Sequence, residues 1–269
     1  MFFGIALAVA NRFLRVEEDP RIELVVSLLP GSNCGACGEP GCQGFGEAVV
    51  AGSRAPSGCT VASADAIEAI ADALGVEAGA QEKRVARLYC AGGRSMAKQV
   101  AAYEGFSSCR GAALVGGGGK GCAWGCLGLA DCEVACTFDA IVINDEGLPI
   151  VDPDKCTACG DCVDSCPRDL FEILPLNHSL LVQCRAPLAG DEAREMCAVA
   201  CDACGRCAQD AAPGLIEMVD NLPVVDYGAG GPARPDAVLR CPTGAIQWVE
   251  GEQLTEQQPR PKKSTGHHV

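Results

Sequence analysis

Cys156-Thr157-Ala158-Cys159-Gly160-Asp161-Cys162-Val163-Asp164-Ser165-Cys166-Pro167 is the stretch that decides how the chain is read. The spacing C-x2-C-x2-C-x3-C, closed by proline, is that of [4Fe–4S] ligand runs in which three thiolates hold one cluster and the fourth reaches across to a second. A partner set must then lie nearby. Upstream stand Cys122, Cys126, Cys132 and Cys136, followed by two short apolar runs, 140–143 and 148–151, on either side of Asp145-Glu146-Gly147. These runs predict a β-hairpin. One cluster is expected to take Cys136, Cys156, Cys159 and Cys162, and the other Cys126, Cys132, Cys166 and a fourth thiolate. Leu129 stands where the middle cysteine of the upstream run belongs, so Cys122, flanked by Gly121 and Gly125, is the expected substitute.

Ligand run, hairpin, ligand run is the layout of a ferredoxin module, and the sequence carries it twice. A shift of 75 residues maps Cys109-Arg110 onto Cys184-Arg185, Cys122 onto Cys197, Cys126 onto Cys201, Cys132 onto Cys207 and Cys166-Pro167 onto Cys241-Pro242. The hairpin repeats as well, Leu148-Pro149-Ile150-Val151-Asp152 matching Leu222-Pro223-Val224-Val225-Asp226 after a slip of one residue. In the second copy Ala211, Gly231, Arg234 and Ala237 replace Cys136, Cys156, Cys159 and Cys162, so one whole ligand set is missing together. Cys201, Cys204, Cys207 and Cys241 remain as a complete set.

A different cysteine pattern precedes the repeat: Cys34-x2-Cys37-x4-Cys42-x16-Cys59, with Gly31, Gly35, Gly38 and Gly41 interleaved. Such glycines let backbone N–H groups approach cluster sulfurs. Zinc also accepts four cysteines but is normally held by two separated C-x2-C pairs, whereas here three ligands crowd one turn, which favours one [4Fe–4S] cluster. Helices are predicted on both sides, at 20–29 before Pro30 and at 63–74, where Ala66, Ile67, Ile70 and Leu74 share a face and Gly75 ends the run. These sets use all 20 cysteines except Cys90, Cys109, Cys184 and Cys197. Four is the number one more cluster needs; a fifth cluster, a zinc site and buried structural thiols are the open readings for them.

The composition agrees with small, metal-stapled modules: 269 residues carry 20 Cys and 33 Gly but only 7 Phe, 3 Tyr and 2 Trp. A formal charge of −14 excludes nucleic acid as a natural partner of the folded body. Of the three histidines, His178 reads as a surface or turn residue and His267 and His268 belong to a polar tail, so no nucleophilic constellation can be built. Gly116-Gly117-Gly118-Gly119-Lys120-Gly121 lacks the order of a phosphate-binding loop, and no G-x-G-x-x-G joins a strand to a helix. Residues 1–10 are apolar, without a charged leader or cleavage site, which predicts an intracellular chain. As a helix they would reach roughly 15 Å, about half a hydrocarbon core, and are read either as the end of a membrane anchor or as a buried helix.

Four segments resemble a known family: Val16-Glu17-Glu18-Asp19-Pro20-Arg21, the loop from Leu29-Pro30-Gly31 to Cys37-Gly38, Gly121-Cys122-Ala123-Trp124-Gly125-Cys126-Leu127-Gly128-Leu129, and the run from Asp154 to Pro167. The family is the B subunit of the Rnf complex, the membrane-bound ferredoxin–NAD oxidoreductase that couples electron transfer to sodium or proton translocation, in its longer, cluster-rich form. The resemblance implies an electron-transfer subunit on the cytoplasmic face of the bacterial plasma membrane, with soluble ferredoxin as donor and the other membrane and peripheral subunits as partners. The alternative is a soluble polyferredoxin serving another oxidoreductase. The expected fold is α+β: a hydrophobic segment at 1–14, a small helical [4Fe–4S] domain at 15–83, tandem ferredoxin-like modules with short β-hairpins at 84–176 and 177–250, and a disordered tail at 251–269.

Overall fold

A computed structural model describes residues 19–228 and 231–255; the expected hydrophobic segment at 1–14 and the end of the tail lie outside them. The chain divides into two compact units after Gln81.

The first unit is helical. Helix α1 (Pro20–Leu28) begins at Asp19, whose carboxylate accepts from the Arg21 N–H, with Pro20 filling a position that needs no donor. It ends because Leu29 is extended ahead of Pro30, one residue short of the predicted end. Helix α2 (Cys42–Val50), which the sequence pattern does not announce, buries Phe45, Gly46 and Val49. A Cβ on Gly46 would stand 2.8 Å from Val26 Cγ2, so α1 and α2 pack this closely only with glycine there. Helix α3 (Ala64–Leu74) matches its prediction: the Ser63 hydroxyl accepts from Ala66 N–H, and Gly75 closes it at φ 65°. Val25, Phe45, Val49, Ile67 and Ile70 form the core, with Cys59 buried among them. Replacing Ser63 by Ala is expected to destabilise this unit by about 1 kcal/mol; a denaturation midpoint unchanged from wild type would show that the cap contributes nothing.

The second unit is an α+β structure built twice over. In the first copy β1 (Arg84–Leu88) pairs antiparallel with β4 (Phe171–Pro175), Leu88 opposite Phe171, and the predicted hairpin forms between β2 (Ile141–Ile143) and β3 (Pro149–Val151). In the second copy β5 (Leu180–Val182) pairs with β8 (Ile246–Trp248), and β6 (Ile216–Val219) with β7 (Leu222–Val225). Each copy is therefore closed by its own first and last strands. Three five-residue helices recur between them: α5 (Asp131–Ala135), α6 (Asp161–Ser165) and α8 (Arg206–Asp210). Each is preceded by a left-handed residue, Ala130 (φ 70°), Gly160 (φ 96°) or Gly205 (φ 68°), and each has a cysteine at its second position. Among the described residues the remaining α-helices are α4 (Cys109–Leu114) and α7 (Gly190–Met196).

Two expectations change. The 75-residue shift aligns Cys109 with Cys184, but the strands align Cys90 with Cys184, since each lies two residues beyond the first strand of its copy. The first copy contains an additional segment that includes α4, and this segment brings in Cys109. The start of the tail is also ordered: Gln253 is buried, its Oε1 accepting from Leu88 N–H (2.9 Å) and its Nε2 donating to Leu88 O (2.6 Å), while Arg87 Nη1 donates to Gly251 O (2.7 Å). Gly251 to Thr255 therefore belong to the folded unit rather than to a free tail.

Candidate metal centre

All 20 cysteines are unpaired thiols, and all but Cys204 are at least half-buried. In the first unit, one cavity is lined by Cys34, Cys37, Cys42 and Cys59, the four residues expected to share a cluster. Asn33, itself left-handed at φ 48°, shapes the loop by accepting the Cys42 N–H on its side-chain oxygen (2.9 Å). Burial pushes the Cys59 thiol up, and the backbone N–H groups of Val61 and Ala62 aimed at its sulfur act against that. Such donors stabilise a thiolate, the form that binds iron.

In the second unit, Cys136, Cys156, Cys159 and Cys162 line one cavity. The helices explain the grouping. In α6 the second-position Cys162 turns toward its own loop, and Cys136, just past the end of α5, comes across to it; the Cys162 thiol is driven up by burial and then by Cys156, Cys159, Cys132 and Cys136. Ala140 N–H points at Cys136 Sγ (3.4 Å), and Asp161 N–H at Cys159. Ala158 holds φ 60° beside Cys159, as Ala203 does beside Cys204 in the second copy. A left-handed alanine costs about 1 kcal/mol, so the loops are held open around their sulfurs by the rest of the fold.

Cys201, Cys204, Cys207 and Cys241 also gather. Cys207 is pushed up to about 11 by burial, with Cys241 and Cys204 as its charged neighbours, and Cys201 to about 12 by burial, with Cys184, Cys207 and Cys241 as its charged neighbours.

Around Cys126, Cys132 and Cys166 a further thiol, Cys109, lies close to Cys132. Cys132 is pushed up to about 12 by burial and then by Cys109 and Cys166. Cys122 instead lines a separate cavity with Cys90, Cys184 and Cys197.

Sequence reasoning missed the polar groups around the thiols. Arg87 is 1 % exposed, with Nε and Nη2 lacking partners and Cys156 as its principal favourable charge. A buried cation in that position needs an anionic neighbour, which a thiolate-ligated cluster supplies. Among the described residues no three Cys, His, Asp or Glu side chains converge closely enough for a single ion.

Fold and cysteine sets together define an iron–sulfur protein. Residues 29–61 match the family described as "Putative Fe-S cluster", and residues 149–172 match the 4Fe-4S binding domain. The chain is 42 % identical, over 91 % of its length and 74 % of the relative's, to the B subunit of the Na(+)-translocating ferredoxin:NAD(+) oxidoreductase complex of Acetobacterium woodii. It is 36 % identical, over 96 % of its length and 92 % of the relative's, to the B subunit of the proton-translocating ferredoxin:NAD(+) oxidoreductase complex of Clostridium ljungdahlii. It is 32 % identical, over 91 % and 92 % respectively, to the B subunit of the ion-translocating oxidoreductase complex of Methanosarcina acetivorans. The chain belongs to the B-subunit family of the ion-translocating ferredoxin:NAD(+) oxidoreductase, or Rnf, complexes.

Proposed function

We propose that the chain is the multi-cluster electron-transfer subunit of an Rnf-like complex. It would accept electrons from reduced ferredoxin at the cytoplasmic face of the membrane and pass them toward NAD reduction coupled to Na+ or H+ translocation. Its partners are the other membrane and peripheral subunits, and it has no substrate-converting site of its own. Among the described residues no helix is long and apolar enough to cross a membrane.

The observation that carries this reading is a cavity ringed by four cysteines in each unit, at Cys34, Cys37, Cys42 and Cys59 and at Cys136, Cys156, Cys159 and Cys162. A bound [4Fe–4S] cluster supplies one-electron redox chemistry. The chain's own residues hold it: thiolates ligate, loop N–H groups point at the sulfurs, and Leu29, Phe45 and Ile141 wall out water. Arg87 places positive charge beside Cys156 and thereby favours the more negative, reduced state there. We further propose tandem ferredoxin-like modules in the second unit, with Cys201, Cys204, Cys207 and Cys241 as a third complete set.

Anaerobically purified protein should contain iron with matching acid-labile sulfide and no stoichiometric zinc, and the iron should be reducible by ferredoxin. Cys159→Ala should remove about four iron per chain and leave the cluster of the N-terminal unit in place. Zinc in place of iron, or iron that reduced ferredoxin does not reduce, would refute the reading.

A further inference from the structure

We infer that Cys90, Cys122, Cys184 and Cys197 are the ligand set of a fifth [4Fe–4S] cluster shared equally by the two copies, and that Cys109 completes the set of Cys126, Cys132 and Cys166. The inference rests on the iron–sulfur reading above and deepens it.

The four thiols line one cavity, as the four cysteines of the two other sets each line theirs. Two of the four come from each copy. Gly92 brings sulfurs of both copies together: a Cβ there would lie 2.9 Å from Cys197 Sγ and 3.8 Å from Cys90 Sγ.

The arrangement is pseudo-symmetric. Cys90 and Cys184 occupy the same place after β1 and β5, and Cys122 and Cys197 correspond through the 75-residue repeat. The contacts repeat too. Cys126 N–H donates to Cys90 Sγ (3.4 Å), and the corresponding Cys201 N–H points at the Cys184 sulfur. The cavity therefore adjoins the Cys126 set on one side and the Cys201 set on the other.

Polar groups around the cavity point the same way. Gln183 is 3 % exposed and lines the cavity, and its Nε2 has no hydrogen-bond partner. A buried amide donor left unpaired costs about 1–3 kcal/mol, which an acceptor sulfur in the cavity would offset. Lys120 and Arg185 also line it, Lys120 Nζ donating to the carbonyls of Gly92 and Cys126. Both cations oppose the negative charge of four thiolates.

Cys109 supplies what the Cys126 set lacks. The backbone N–H groups of Leu129 and Asp131 point at its sulfur, so the thiol sits over the very loop whose middle cysteine is absent. Asp131 fixes it there by accepting from the N–H groups of Cys109 (2.9 Å) and Arg110 (3.0 Å) and from the Ser108 hydroxyl (3.1 Å). Cys109 and Cys166 are the thiols that bear most on Cys132.

The test is iron and sulfide counting on the full chain, with serine variants taken singly and in pairs. Wild type should hold about 20 iron, Cys122→Ser and Cys197→Ser about 16 each, and the two combined still about 16. Cys109→Ser with Cys122→Ser should fall to about 12, because the two residues serve different clusters. If Cys122→Ser with Cys126→Ser lost no more iron than either alone, Cys122 would belong to the Cys126 set and the grouping would be wrong. Native mass spectrometry of the wild-type chain needs no variant: the mass of five clusters is expected, and a maximum of four would overturn the inference while leaving the electron-transfer reading intact. Zinc without sulfide would instead defeat that reading.

Discussion

Stripping iron from the reduced, anaerobic protein is expected to abolish the cooperative unfolding transition of the second unit. Its strands are three to five residues long and occur only in two-stranded sheets, which are marginal in water by themselves. Its largest core places Cys90, Cys132, Cys156 and Cys162 among Val85, Leu88, Leu148 and Phe171, so the thiols are structural neighbours of the apolar side chains. Without metal these positions are buried groups with nothing to ligate, and burial drives Cys126 and Cys162 toward the neutral thiol. Modules this small usually need a metal or another staple to close. Circular dichroism and limited proteolysis before and after chelation measure the effect. An apo chain that melts at the same temperature as the holo chain would show that apolar packing suffices.

Gln253→Leu is expected to cost about 3 kcal/mol, because it leaves both the N–H and the C=O of Leu88 buried and unsatisfied at about 1–3 kcal/mol each. Gln253 is 3 % exposed and lies 165 residues along the chain from Leu88, so its side chain clasps the end of the second copy to the first strand of the first. Chemical denaturation of the holo protein reads the loss, and hydrogen exchange locates it at the Leu88 amide. Unchanged stability together with unchanged Leu88 protection would mean that the clasp carries no load.

Local signals made much of the fold legible. Asp19-Pro20 and Ser63 with Gly75 mark helix ends by chemistry that acts within a few residues, and the apolar runs on either side of Asp145-Glu146-Gly147 give the hairpin. Helix α2 escaped because its first residue is a presumptive ligand and its buried Gly46 is chosen for packing against Val26. The tail was misjudged at Gly251–Thr255 since its polar composition hides one glutamine whose partners are backbone groups of a remote strand.

For the cysteines the division is sharper. The sequence alone determined the kind of chemistry, because ligand spacing within a single loop fixes which thiols can turn toward one point: Cys34, Cys37 and Cys42, or Cys156, Cys159 and Cys162. It also determined the repeat. Only the tertiary structure shows which remote thiols lie near which loop. The equal spacing of Cys109 and Cys184 from their downstream cysteines is a coincidence of chain length, whereas Cys90 and Cys184 stand at the ends of equivalent strands. The pairing of β1 with β4 and of β5 with β8 brings those strand ends into place, and contacts closed over such long stretches of chain leave no periodic trace in the residues between them.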